Sequence, residues 1–507
     1  MTTASNEGLS GKVADGAVWM TGLMIAERGI SLVSTIILAR LLVPEDFGVV
    51  AMCMSVVAAL ELFAAFGFDV VLIQKQGASR AHYDTAWTLR LLSGVLIASL
   101  IVGAAYPTSV FYDEPKVVWP MIAIALGSLL KSFENIGVVD FRKDLRFRRE
   151  ASFRLSQRLS GFLVTVPLAL YWRDYWALVA GIVAMNASAL VLSYIMRPRV
   201  PRFSLRYWHT ILGFSSWLLV NNFLEFIRRR AAYFILGRSG GAGALGFLQI
   251  SQDLANAFTR ELVSSANRAI FPGYSRVSTN NSHIAQMFLR VSGLTSTFAV
   301  PVSAGIALIS HQIIPIVLGG GWSDAIPLLQ LLAISGGLAA IGSNCTYVFH
   351  ARGKPRIVTL VSLIHVILLV PLLVILVNLY GLLGAGRAVV GAGLVTVPAA
   401  YKLATLELNL SLREVARAVW RPFAAASAMC AAVLGLEAIV DLDLWSGVLL
   451  NVGIGAACYV GVLSLLVWAG NEEDPVEELL LGYAGSLFRR MLGRAEPSGR
   501  ATGGSLP

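Results

Sequence analysis

The chain has 507 residues, 56% of them hydrophobic and only 14% charged, with a formal net charge of +10 and a mean hydropathy of +0.71. A soluble protein carries about 25% charged residues, and one of this length would divide into roughly three domains joined by polar linkers. No polar linker occurs before about residue 470, which excludes a soluble enzyme, a secreted disulfide scaffold and a disordered chain.

In chain order, apolar runs of a length that crosses a ~30 Å hydrocarbon layer as a helix fall at 17–39, 47–65, 83–106, 117–134, 154–171, 175–196, 209–236, 243–271, 286–309, 324–350, 358–378, 382–401, 419–440 and 445–469. The short alternating segments of a membrane β-barrel are absent. The expectation is an all-α polytopic membrane protein of fourteen spans. Cys53, Cys345, Cys430 and Cys458 lie inside apolar runs without metal-ligand spacing, so neither a disulfide framework nor a metal site is expected. No Arg/Lys-led leader with a cleavage site opens the chain, and the N-terminus is expected to be retained.

Loops after even-numbered spans hold 18 Lys and Arg, against 4 in loops after odd-numbered spans. The positive-inside rule then puts both termini in the cytoplasm, and it accounts for the net charge without nucleic acid as a partner. The outer loops are short, the longest being near 14 residues around Gly319–Gly321.

Shifting the chain by 198 residues aligns Trp19 with Trp217, Glu27 with Glu225, Ile37-Leu38 with Ile235-Leu236, Arg40 with Arg238 and Gly48 with Gly246. Both copies start from the same side, so the repeat is parallel, with its axis along the membrane normal. The expected division is a cytoplasmic segment 1–16, an N-lobe 17–196 and a C-lobe 209–401. Two extra spans, 419–469, follow, and then a cytoplasmic tail 470–507 with an amphipathic helix after Pro475 and a disordered end.

Charge at mid-bilayer costs at least a few kcal/mol and normally faces protein or water. In span 8, Gln249, Asp253, Asn256 and Arg260 share one helix face. Span 7 repeats the pattern with Asn221, Glu225 and Arg228, bordered by Asn222 and Arg229. In span 1, Arg28 lies near the midpoint beside Glu27. These stripes point to a water-filled cavity, the alternative being a buried network that only joins helices. Arg90, Arg158, Arg290 and Arg387 lie nearer span ends, where headgroup contact is the competing role, and one of Arg228–Arg230 is expected to reach outward. His350 and His365 read as structural. Antiparallel spans 7 and 8 would bring Glu225 and Asp253 to one depth. No Walker A, HExxH or GxSxG motif is present, so neither catalysis nor a cofactor is expected.

The stretch Ile37-Leu38-Ala39-Arg40-Leu41-Leu42-Val43-Pro44-Glu45-Asp46-Phe47-Gly48 resembles the LARLLxPEDFG pattern of bacterial polysaccharide-export flippases in the multidrug/oligosaccharidyl-lipid/polysaccharide exporter superfamily. Phe141-Arg142-Lys143-Asp144-Leu145-Arg146-Phe147 and Trp176-Ala177-Leu178-Val179-Ala180-Gly181 fit the same family, over most of 10–400. The resemblance implies two six-helix lobes around a cationic cavity. It also implies transport of undecaprenyl-pyrophosphate-linked oligosaccharides across the bacterial inner membrane for exopolysaccharide, capsule or O-antigen export. Membrane lipids and a polysaccharide polymerase with its export machinery would be partners. Ala231-Ala232 stands where many relatives carry an acidic residue, so no ion-coupling role carries over there.

On that reading, Arg28, Arg228 and Arg260 bind pyrophosphate and acidic sugars, and Asn221, Asn222, Gln249 and Asn256 satisfy sugar hydroxyls. Glu27, Glu225 and Asp253 orient the arginines or bind a coupling cation. The alternatives are a cation-coupled multidrug extruder of the same superfamily, or a membrane glycan polymerase or glycosyltransferase.

Overall fold

The computed structural model describes residues 3–62, 68–75, 77–209, 216–276, 281–440 and 443–469, with side chains for all of these except 3–15, 17, 216–221, 258, 260–276 and 281. Among the described residues there are helices and no strands. The order is α1 (Thr3–Leu41), α2 (Pro44–Leu62), α3 (Phe68–Gln74), α4 (Arg80–Tyr112), α5 (Val118–Ser132), α6 (Asp140–Lys143), α7 (Phe147–Trp172) and α8 (Trp176–Met196). The second half holds α9 (Ser216–Arg276), α10 (Asn281–Val317), α11 (Ala325–Ala351), α12 (Pro355–Leu408), α13 (Leu412–Ile439) and α14 (Leu444–Trp468). Eight of these helices are long and apolar enough by themselves to cross a membrane, which makes the protein multi-pass.

Two long helices reverse direction at a glycine. Gly241 in α9 has φ 70° and Gly381 in α12 has φ 55°, a backbone region costly for residues with a Cβ. Beyond each break the chain runs back along itself. Tyr233 Oη donates to Gln249 Oε1 at 2.7 Å, and a Cβ on Gly384 would overlap the Leu376 carbonyl. With α9 and α12 each counted as two, the long helices match the fourteen predicted spans one for one. Their ends differ: α1 is helical from Thr3, and α10 runs on to Val317. The link around Gly319–Gly321 is therefore shorter than the sequence suggested, with a 3-10 turn whose Trp322 is buried. The expected tail helix lies outside the described residues.

In the first half α2 packs on α4 and α5, α5 on α8, and α7 on both α8 and α1. In the second half α9 packs on α11 and α12, and α10 packs on α11, while α13 and α14 pair with each other and lean on α10. The main junction between halves is α2 against α9. There, a Cβ on Gly48 would overlap the Ala242 carbonyl, and a Cβ on Gly246 would overlap that of Pro44. Residues 44 and 48 thus meet the counterparts of 48 and 44 at an offset of 198. That is the self-complementary contact of a twofold axis. Within each half, residues 53 and 251, related by the same offset, each approach a carbonyl at the start of a later membrane helix: Cys53 Sγ lies 3.7 Å from Val117 O, and Ser251 Oγ lies 3.4 Å from Ala325 O.

The same end of the bundle is bolted by further contacts. Arg40 donates to the carbonyls of Ile316 and Val317, ending α10. Trp322 Nε1 donates to Ala39 O at 2.8 Å, and its ring takes Phe47 and Phe247 edge-on. Asp46 accepts the Val43 and Tyr175 amides at the starts of α2 and α8.

At the opposite end, the segment 197–209 that follows α8 lies as a strap on the first half. Asn135 Nδ2 holds the carbonyls of Arg197 and Arg199. Arg202 N donates to Asp84, Ser204 N to Thr88, and Phe203 meets Trp87 edge-on.

Candidate functional site

Away from the Gly48 junction, three helices, α1, α7 and both arms of α9, bring charged groups near one another. Arg158 of α7 donates to Ser31 Oγ of α1 at 3.0 Å. Arg28, one turn before Ser31, is solvent-accessible. Arg28, Arg158 and Arg230 all act electrostatically on Asp253 in the second arm of α9. Asp253 accepts from Gln249 Nε2 at 2.9 Å. Gln249 and Gln252 both accept from Tyr233 Oη, which fixes the two arms of α9 side by side. Arg230 packs over the Tyr233 ring, 5.1 Å from its centroid, a favourable cation–π position.

The site therefore draws Arg28 and Arg158 from the first half and Arg230 and Asp253 from the second. Three guanidinium groups, drawn from both halves, act electrostatically on the Asp253 carboxylate. Guanidinium is always charged and presents a rigid fork suited to phosphate oxygens.

Other sequence candidates fall elsewhere. Arg228 makes two hydrogen bonds to Glu225, at 2.7 and 2.6 Å, and Arg229 pairs with the same carboxylate. This pair lies near His365 of α12, whose Nδ1 is 3.2 Å from Thr396 Oγ1. Asn222, Asn256 and Glu27 are half-buried. The side chains of Asn221 and Arg260 lie outside the described residues.

Glu225 and Asp253 are not level. The Tyr233–Gln249 and Tyr233–Gln252 bonds put Asp253 opposite 229–232 and Glu225 opposite 257–260. At 1.5 Å per residue Asp253 is about one turn, roughly 6 Å, closer to Gly241. The expectation of one acidic waist is corrected to two steps. The chain at Gly241 reverses almost without a loop, whereas the sequence reading assumed a longer link.

Of the arginines near span ends, Arg90 is bound to buried Glu134 at 2.8 Å and Arg387 stacks over Tyr380. Arg158 reaches the site. Arg230 was not separated from its two neighbours by sequence; its spacing of three from Tyr233 was the available signal. Among the described residues no group of three or more His, Cys, Asp or Glu is placed to hold a metal.

The fold is that of a known class of membrane transporters. The solved structure of the lipid II flippase MurJ, inward closed, superposes with a TM-score of 0.70 at 13% identity, covering 94% of this chain and all of that one. An inward-facing multidrug resistance MATE transporter of the MOP superfamily gives 0.53 at 15% identity, covering 76% of this chain and 94% of the other. In sequence, residues 37–327 match the polysaccharide biosynthesis protein family, and the chain belongs to it. It is 22% identical to the lipopolysaccharide biosynthesis protein WzxC of Escherichia coli K12 over 81% of this chain and 85% of that protein. It is also 22% identical to the succinoglycan biosynthesis transport protein ExoT of Rhizobium meliloti, over 64% of this chain and 66% of that protein.

Proposed function

We propose that this protein moves lipid-linked oligosaccharides, carried on undecaprenyl pyrophosphate, from the cytoplasmic to the outer leaflet of a bacterial inner membrane for polysaccharide export. The observation that carries the reading is the convergence of Arg28, Arg158 and Arg230 from both halves around Asp253. A diphosphate brings at least two negative charges, and guanidinium groups gathered from both halves suit its oxygens. Sugar hydroxyls cost several kcal/mol each in hydrocarbon without a partner. Asn222, Gln249 and Asn256 along the same arm pair are suited to meet them, with Asn221 and Arg260 at the neighbouring turns.

With the positive-inside orientation, both termini are cytoplasmic and the Gly48 junction is the outer end. The lobes are 17–196 and 209–401, and 419–469 is an appended helix pair. Inter-lobe bonds at Arg40 and Trp322 hold that outer end shut, so the substrate loads from the cytoplasm and leaves after these contacts part. The prenyl chain stays in lipid beside the lobes. The protein does no bond chemistry; a polymerase acts on its product. In this scheme Glu225 holds Arg228 in reserve beside the path, and Glu27 and Asp253 orient arginines or meet a coupling cation.

The test is polymer export by cells carrying Arg28→Ala or Arg158→Ala. Export is expected to fall to background while membrane abundance stays near normal. Normal export by either well-expressed variant overturns the assignment. The likeness to a drug transporter raises a second reading, extrusion of cationic drugs. The positive charge of the site opposes it, so deletion of the gene should leave susceptibility to cationic dyes unchanged.

A further inference from the structure

The strap carries a second cluster of positive charge, far along α4 from the junction. Its centre is His82, in the first turn of α4 and only 6% exposed. Nδ1 of His82 faces the Ser79 amide at 3.2 Å and the Ser79 hydroxyl at 2.7 Å. An amide N–H can only donate, so Nδ1 accepts and the ring proton resides on Nε2. Nε2 is buried and has no hydrogen-bond partner. A buried donor left unmade costs about 1–3 kcal/mol.

The ring stacks on Tyr207 of the strap, centroids 3.9 Å apart and nearly parallel. Around the stack lie Lys75, 5.8 Å from the Tyr207 centroid, and Arg206, 5.6 Å from it. Lys143 is held there by its bond to Lys75 O at 2.8 Å, and both lysines act electrostatically on His82. The neighbouring acids are already engaged: Asp140 by Tyr83 and Arg197, Asp144 by Arg146 and Arg197. Among the described residues this leaves Lys75, Lys143 and Arg206 without a carboxylate partner.

We propose that His82, Lys75, Lys143 and Arg206 bind a phosphate group presented in the headgroup layer, and so fasten the inter-lobe strap to the membrane surface. His82 Nε2–H supplies the directed hydrogen bond, and the three flexible cations supply charge. The first turn of a membrane-crossing helix lies at headgroup depth, where phosphate is the abundant anion. The phosphate can belong to an anionic phospholipid or to a lipid diphosphate. This site is separate from the transport site, and its failure would leave the transport reading untouched.

The experiment is native mass spectrometry of the full-length protein in detergent. It is titrated with phosphatidylglycerol, with phosphatidylcholine, and with phosphatidylglycerol in competition with inorganic pyrophosphate. Wild type is expected to retain phosphatidylglycerol over phosphatidylcholine. His82→Phe keeps an aromatic ring for the stack and removes the donor; it should weaken phosphatidylglycerol retention about tenfold, with a melting temperature close to wild type. The triple change Lys75→Gln, Lys143→Gln, Arg206→Gln should weaken it at least as much. Displacement by pyrophosphate assigns the site to diphosphates; retention against pyrophosphate assigns it to the phospholipid. Equal retention by wild type and both variants, or no preference over phosphatidylcholine, overturns the proposal.

Discussion

Arg90 and Arg158 look alike in the sequence: each is an arginine near the end of an apolar span. Their neighbours separate them. Arg90 neutralises Glu134, which is 7% exposed. Arg90→Ala would strand that carboxylate, and removing one member of a buried pair costs about 3–5 kcal/mol. The expected result is a large loss of folded protein in the membrane, read by fluorescence size-exclusion chromatography. Arg158→Ala removes a bond to a serine at an accessible site and should leave that profile intact while export fails. The polar stripes made Arg28, Gln249 and Asp253 stand out because mid-span charge is rare. They could not rank Arg158 or Arg230, because helical spacing gives a face and a depth but not which helix that face meets. Arg158 depends on α7 lying against α1, a tertiary fact.

At the scale of the element, the breaks at Gly241 and Gly381 decide how the second half of the chain is threaded. The pauses in hydrophobicity near 237–242 and 379–381 made both reversals legible, but the depth of Asp253 was misjudged by a turn because link length is weakly encoded. Gly381→Ala puts a Cβ on a backbone at φ 55° and ψ −129°. It should destabilise the protein by at least about 1–2 kcal/mol, seen as a lower melting temperature. Gly103→Ala in the interior of α4 meets nothing within 4 Å. It should be neutral or stabilising by up to about 1 kcal/mol. The family motif is explained at this scale as well. Arg40, Asp46 and Gly48 end α10, start α2 and α8, and let α2 touch α9. Within this fold, these motif residues make contacts between helices and between the two halves.

At the scale of the whole molecule, the bonds between halves among the described residues concentrate at the Gly48 end, so the equilibrium between closed and open states of that end should respond to them. Arg40→Ala with Trp322→Phe removes three hydrogen bonds from that closure. Spin labels at positions 116 and 323, in a background with the four cysteines replaced, should then show a larger share of long distances than in the parent protein. An unchanged distance distribution would mean that the glycine contact alone holds the face shut. The offset of 198 was readable as six scattered identities; why Gly48 and Gly246 were among them was not, since only the fold brings each against the other's neighbour.

The reciprocal contact of Pro44 with Gly246 and Gly48 with Ala242 has a consequence for how the chain can be cut. Each half carries both sides of one self-matching surface, so recognition between the halves is written into the halves themselves and does not depend on the covalent link. A gene divided after codon 209 should therefore yield two polypeptides, 1–209 and 210–507, that find each other in the membrane. Co-expressed with a tag on one fragment, they should co-purify and restore export in a strain lacking the intact gene. With Gly48→Val in the first fragment, a side chain would enter the Ala242 backbone, and the pair should no longer be recovered together.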